Sequence, residues 1–117
     1  MGMIQLVGWT KLMQKTNIFS NIPKKLDEEL FEDIISNDKL KIQKIVSEGH
    51  TTDKFEWYDQ DSDEWVIVLH GEAILSFENE DDVNLKPGDY INIPAHKKHR
   101  VSWTTSDKKT IWLAVHH

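Results

Sequence analysis

The sequence predicts an all-β domain folded as one barrel or jelly roll, and three observations support this fold class. Segments of roughly five apolar and β-branched residues recur along the chain, separated by turn signals about every 8–12 residues. The one segment with helical character, residues 26–31, is short, and its acidic residues suit a first helical turn. The 117 residues are enough for a single core, and no repeat or linker divides them.

Eight segments are predicted as strands, because each combines apolar or alternating residues with a turn signal at its end. They are residues 31–35, 40–46, 65–69, 73–77, 83–85, 90–93, 99–103 and 111–115. The short connection at His70 and Gly71 predicts that the third and fourth of these strands pair as a hairpin. The aromatic residues at 55–58 are a weaker candidate for the beginning of a further strand.

Residues 1–16 are predicted as an N-terminal extension, flexible or an edge strand, and residues 17–117 as the barrel domain. The short apolar patch within residues 4–7 has neither the basic region nor the cleavage site of a signal peptide. Three methionines, Met1, Met3 and Met13, are possible starts, so part of the extension is not expected to belong to the fold.

Composition and charge narrow the possible functions. The chain has no cysteine, which excludes disulfides, thiolate metal sites and thiol nucleophiles. The formal net charge is -6, and Arg100 is the one arginine, so a nucleic-acid partner is not expected. No apolar run approaches the roughly 20 residues that span a bilayer, so we expect no membrane partner either. With nothing that demands an oxidising compartment, a cytoplasmic location is expected.

Two ionisable residues are predicted to face the interior of the barrel. Alternate side chains of a strand face the same way, so Glu64 shares a face with the apolar Val66 and Val68. By the same argument His99 shares a face with Val101 and Trp103. A carboxylate and an imidazole at the mouth of a small barrel need a partner, water or a metal, and both are normal ligands of divalent first-row metals.

The spacing around these two residues resembles the two motifs of the cupin family, which are double-stranded β-helix (jelly-roll) barrels. The first family motif ends in a Glu, six residues and a Gly, which here are Glu64 and Gly71. The second motif resembles residues 88–99, except that His96 stands where the family usually has Gly. The resemblance covers about residues 40–115 and implies a cupin fold, while its specificity for function is low.

The chain departs from the family pattern at the His-x-His pair that metal-binding cupins usually carry before the glutamate. With the common spacing, Tyr58 and Gln60 occupy those positions; with a longer spacing they are Trp57 and Asp59, and Asp59 could ligate a metal. The shorter spacing is preferred because it keeps Tyr58, Gln60 and Glu64 on one face. Two of the four ligands that the family uses are therefore matched.

The resemblance implies a divalent metal, Fe, Mn, Ni or Zn, held by Glu64 and His99 with Gln60 as a further oxygen ligand. It also implies a small polar molecule in the barrel, in a pocket predicted to contain Tyr58, Gln60, His96 and Trp103. If the protein is an enzyme, Glu64 and Tyr58, a candidate proton donor, are the catalytic candidates.

The replaced histidine pair leaves a second interpretation open, a metal-free cupin that acts as a small-molecule sensor or accessory dimer. A homodimer is implied by the resemblance in either case, and an interaction protein is a weaker third interpretation. His50 and His96 are available to rebuild a site, although a loop role is favoured for both. No role is assigned to His116 and His117.

Overall fold

Eight strands and no helix make up the structure, a computed structural model that describes residues 12–117. The strands are β1 (Leu30–Ser36), β2 (Lys41–Ser47), β3 (Glu64–His70), β4 (Ala73–Phe77), β5 (Val83–Leu85), β6 (Tyr90–Ile93), β7 (His99–Thr104) and β8 (Thr110–His116). All eight predicted strands are present, with ends that differ by no more than one residue. Within the described part of the chain, no helix is long and apolar enough to cross a membrane.

The strands form two antiparallel sheets. The larger sheet has the order β1-β2-β8-β3-β6, and the smaller has the order β5-β4-β7. The core consists of buried side chains from both sheets: Val66, Val68, Ala73, Leu75, Phe77, Leu85, Ile93, Trp112 and Ala114. This architecture is the predicted all-β jelly-roll barrel, with the apolar face of each sheet turned toward the other.

The predicted hairpin between the third and fourth strands is wrong, because these strands belong to different sheets. β3 pairs with β6 and β8, whereas β4 pairs with β5 and β7. The chain crosses between the sheets at Gly71, which has a φ of 84°. A Cβ atom on Gly71 would lie 2.6 Å from the Cα of Thr110, so only glycine fits this crossing.

Residues 26–31, the one segment with some helical character in the sequence, form no helix. The N–H of Leu26 donates to the carboxylate of Glu48, 3.0 Å away, and β1 begins at Leu30. The weak strand candidate at residues 55–58 forms no strand. Its last residue, Tyr58, makes a single bridge to His99.

The N-terminal segment begins, in the described residues, at Leu12, so residues 1–11 of the predicted extension lie outside them. Further along, the Ser20 carbonyl accepts a hydrogen bond of 2.9 Å from the buried Lys44 of β2. The homodimer expected from the family resemblance and the cytoplasmic location both stay predictions.

Candidate functional site

A cavity of about 170 Å³ lies inside the barrel, with walls from both sheets. A cavity of about 150 Å³ holds a benzene molecule, so this space suits a ligand of about the size of one ring. Its polar lining residues are Glu29, Gln43, Tyr58, Gln60, Glu64, His99 and His116, and the remaining lining is apolar. Four predicted pocket or metal-site residues therefore line one cavity: Tyr58, Gln60, Glu64 and His99.

Glu64 and His99 lie next to each other in the cavity wall, each as the first residue of its strand. His99 Nε2 and Glu64 Oε1 are 3.3 Å apart, and the two side chains are only 6% and 12% exposed. The buried Val66 and Val68 lie on the same face of β3 as Glu64, as the alternation predicts. The structure thus buries an acid and an imidazole side by side.

The orientation of the His99 ring is set from behind by the backbone. Its Nδ1 lies 2.8 Å from the carbonyl oxygen of Lys97, to which it donates, and so Nε2 is the nitrogen that faces Glu64. Burial is the largest single influence on His99, and by itself it would lower the pKa of this histidine. The Glu64 carboxylate and the Lys97 carbonyl together outweigh it, so that the pKa of His99 is raised above its ordinary value.

Tyr58 and Gln60 reach the cavity because their segment runs beside the first residues of β7. Tyr58 and His99 exchange two backbone hydrogen bonds of 2.7 and 3.1 Å, and their rings lie 5.7 Å apart. The backbone carbonyl of Gln60 accepts a hydrogen bond of 2.8 Å from the backbone N–H of His96. These backbone contacts hold the segment as an added edge, with Tyr58 and Gln60 on the cavity side.

Two buried oxygens of the cavity have no hydrogen-bond partner among the described residues. They are Gln60 Oε1 and Glu64 Oε1. The contact from His99 Nε2 to Glu64 Oε1, at 3.3 Å, lies just beyond the usual range of about 2.7–3.2 Å and leaves this oxygen without a hydrogen bond. Buried polar atoms are nearly always paired in folded proteins, so both oxygens need a hydrogen-bond donor or a cation that the protein itself does not supply.

Two predicted pocket residues lie outside the cavity. The side chain of His96 is 65% exposed, and its Nδ1 lies 2.9 Å from Asp59 Oδ1. His96 has a φ of 64°, a conformation that glycine adopts easily, which explains the usual Gly at this motif position. The prediction that His96 belongs to the pocket is not supported, because its ring is held at the surface by Asp59.

The prediction that Trp103 shares the inner face with His99 is wrong, because a β-bulge in β7 reverses the alternation. Val101 pairs with Leu75, but Trp103 pairs with Ile74, so that Ser102 is an extra residue on its strand. Val101 lines the cavity, whereas Trp103 is 40% exposed and does not.

One histidine of the cavity, His116, was missed at the sequence level. The alternation of Trp112, Ala114 and His116 along β8 was the available signal, since the first two are buried in the core. His50 lies elsewhere, with its Nδ1 accepting from the N–H of Glu48. In the part of the chain that the structure describes, no three His, Asp or Glu side chains converge closely enough to hold a metal ion.

Comparisons with known proteins agree with this architecture. The family model described as Cupin domain matches residues 45–116. Over 67 residues the chain is 37% identical to the uncharacterized protein YdbB of Bacillus subtilis (strain 168), a match that covers 56% of this chain and 57% of YdbB. The match therefore spans little more than half of that relative.

Two solved structures are similar over most of the chain. One, from Ralstonia eutropha JMP134, bears the name of a proposed mannose-6-phosphate isomerase. It is 37% identical, with a TM-score of 0.85 over 89% of this chain and 97% of that one. The other is a cupin superfamily protein from Desulfitobacterium hafniense DCB-2. It is 21% identical, with a TM-score of 0.68 over 81% and 82% of the two chains, which supports the fold alone.

Proposed function

Because the chain belongs to the cupin family, whose domain matches residues 45–116, we propose that its barrel binds a divalent metal ion and a small polar molecule. Glu64 and His99 would hold the metal, and Gln60 would add a third donor atom. The molecule would occupy the rest of the 170 Å³ cavity.

The observation that carries this proposal is the set of unpaired electron-donating atoms in the cavity. Glu64 Oε1 and Gln60 Oε1 are buried without hydrogen-bond partners among the described residues. His99 directs Nε2 toward Glu64, because the Lys97 carbonyl engages its other nitrogen. Hydrogen bonding of the distal ring nitrogen to a carbonyl is the usual arrangement of a metal-binding histidine. A cation fits this environment, because both oxygens could coordinate it.

The chemistry of these donors limits the choice of metal. Imidazole nitrogen and carboxylate or amide oxygen suit Fe, Mn, Ni and Zn, and the chain has no cysteine to select a softer ion. When bound, such a metal would supply a Lewis acid. With one histidine, one carboxylate and a neutral amide oxygen, we expect weaker binding than at a site with more histidines.

The lining of the cavity indicates the kind of molecule that would share it. Neither lysine nor arginine is among the lining residues, while Glu29 and Glu64 are. A phosphate group needs cationic partners, so a neutral, hydroxylated molecule fits better than a phosphorylated one. The similarity to a proposed mannose-6-phosphate isomerase therefore supports a polar ligand without extending to its phosphate.

Tyr58 and Glu64 are the residues that would act on the bound molecule. Tyr58 lines the cavity beside His99, and its hydroxyl can donate a hydrogen bond or a proton to a ligand oxygen. Glu64 can accept a hydrogen bond from a ligand hydroxyl through its unpaired oxygen. These roles are those of binding groups, and turnover would require a proton transfer by one of them.

Metal content tests the proposal directly. Elemental analysis of tag-free protein, purified without a chelating resin, should find roughly one transition-metal ion per chain, as a single site requires. Glu64→Ala and His99→Ala should abolish the metal content, and His96→Ala, whose ring lies outside the cavity, should not. A metal content that survives both cavity substitutions would show that the site is assigned to the wrong residues.

A metal-free cupin is the second candidate function, and one observation favours it. Among the described residues, no three His, Asp or Glu side chains converge on one point. In that case the cavity binds the polar molecule alone, with its hydroxyl groups satisfying Gln60 and Glu64, and the protein acts as a sensor or accessory dimer. Metal far below one equivalent, with no uptake of added Fe, Mn, Ni or Zn, would support this candidate.

A further inference from the structure

We infer that His116 on β8 is an additional ligand of the proposed metal centre, which then contains two imidazoles and one carboxylate. The inference rests on the proposed function, because it assumes that Glu64 and His99 bind a metal. It assigns a ligand from the last strand of the fold, outside the two sequence motifs that contain Glu64 and His99.

The strand register places His116 next to Glu64. The two residues are direct partners in the antiparallel pairing of β3 and β8. Directly opposed residues have Cβ atoms about 4.5–5.5 Å apart and project to the same face of the sheet. Both residues line the same cavity. Glu64 is therefore the neighbour of His99 on one side and of His116 on the other.

The ring of His116 makes no hydrogen bond to the described residues and could therefore bind an ion. The other five histidines each have a ring nitrogen within hydrogen-bond distance of a protein atom: His50, His70, His96, His99 and His117. For His116, the described residues provide no such partner, although it lines a cavity with two unpaired oxygens. An unpaired imidazole beside unpaired acceptors suggests that a third species joins them.

In the positions that the structure describes, the side chains of Glu64, His99 and His116 do not yet converge on one point. The inference therefore requires the His116 ring to turn about its side-chain bonds toward Glu64. No change of backbone is needed, since the β3–β8 register already sets the two residues opposite each other. Rotation of a half-buried side chain without a hydrogen bond is a small cost beside the free energy of metal binding.

The resulting set of ligands indicates a class of metal. Two histidines and one carboxylate with open positions are the ligands of non-haem iron(II) sites. Open positions leave room for a small molecule to bind the same ion, and the cavity offers space for it beside Gln60 and Tyr58. The inference thus favours Fe²⁺ among the four metals considered, with Co²⁺ as a spectroscopic substitute.

A Co²⁺ titration of the whole, tag-free, metal-depleted chain tests the inference, with binding followed by calorimetry and by visible absorption. His116→Ala should weaken Co²⁺ binding by at least about tenfold, the loss typical of even an outer partner of a metal ligand, and should change the absorption spectrum. His117→Ala is the matched control, because its ring contacts Asn92 at 2.9 Å. It should leave both readouts unchanged.

The outcomes separate this inference from the function on which it rests. If Glu64→Ala and His99→Ala weaken Co²⁺ binding but His116→Ala behaves like His117→Ala, His116 is not a ligand and the proposed function stands. If the unsubstituted protein binds neither Co²⁺ nor Fe²⁺, both are overturned. His116→Gln, of similar size, should also lose affinity, whereas His116→Asp, which can still ligate, should recover part of it. Co²⁺ binding by all three variants as tight as that of the unsubstituted protein would refute the inference.

Discussion

The segment of residues 58–64 supplies the carboxylate of two histidine–carboxylate pairs. One pair lies in the cavity and the other at the surface. Inside, His99 and Glu64 are 3.3 Å apart and almost fully buried. Outside, His96 and Asp59 are closer, at 2.9 Å, but their side chains are 65% and 43% exposed. The pair with the shorter contact is therefore the more exposed one.

Burial, rather than contact distance, therefore decides how much a histidine–carboxylate pair contributes to stability. An exposed pair gains little, because water and salt screen it, and typically contributes about 0–1 kcal/mol. Removing one partner of a buried pair leaves a desolvated polar group alone and costs about 3–5 kcal/mol. The longer contact between His99 and Glu64 should therefore matter more, both to stability and to ligand binding.

The largest expected difference between the two pairs is in stability. Glu64→Ala should lower the free energy of unfolding by about 3 kcal/mol, because His99 stays buried without its partner. Asp59→Ala should lower it by less than about 1 kcal/mol. Urea denaturation of both variants measures the two values. Equal losses would mean that burial does not separate the pairs.

The inner pair, His99 and Glu64, should make the stability of the protein depend on pH. The Glu64 carboxylate and the Lys97 carbonyl raise the pKa of His99 above its ordinary value, in spite of burial. A raised pKa in the folded state stabilises the protein below the pKa of unfolded histidine, and this contribution is lost as the pH rises through the folded-state pKa. The stability advantage of the unsubstituted protein over Glu64→Gln should therefore shrink as the pH rises above about 6.5, the ordinary pKa of histidine.

Urea denaturation at several pH values provides this test, with His96→Gln as the control for general effects of pH on the fold. An advantage over Glu64→Gln that grows with rising pH would contradict the direction of the His99 pKa shift.

Salt should produce the smallest of the three effects. A double-mutant cycle on His96 and Asp59 should give a coupling below about 1 kcal/mol, which disappears at 1 M salt, where the Debye length is about 3 Å. The same cycle on His99 and Glu64 should keep most of its coupling, since the pair is shielded from solvent. A buried coupling as sensitive to salt as the exposed one would show that water enters the cavity freely.

Local sequence pattern was sufficient to predict the strands but not their partners. Apolar runs such as residues 65–69 identify a strand, because burial of β-favouring side chains is a local preference. Pairing depends on residues far apart in sequence. Gly71 shows the limit: its short connection is typical of a hairpin, yet the contact with Thr110, thirty-nine positions later, makes it a crossing between sheets.

The candidate site was predictable to the extent that strand alternation is regular. Alternation predicted that Glu64 and His99 face inward, and the structure has both in the cavity. It failed at Trp103, because no local pattern reveals the bulge at Ser102. His116 could have been identified by the same alternation, since it follows Trp112 and Ala114 on one face of its strand.

The place of β8 in the larger sheet has a consequence for how the protein is made. β8 lies between β2 and β3, although it is the last strand in chain order. During synthesis on a ribosome, β2 and β3 must therefore wait for residues 110–116 before either obtains its shared neighbour. Until then both strands expose backbone edges that can join those of another nascent chain, so this protein should depend on chaperones most before residues 110–116 have been synthesised.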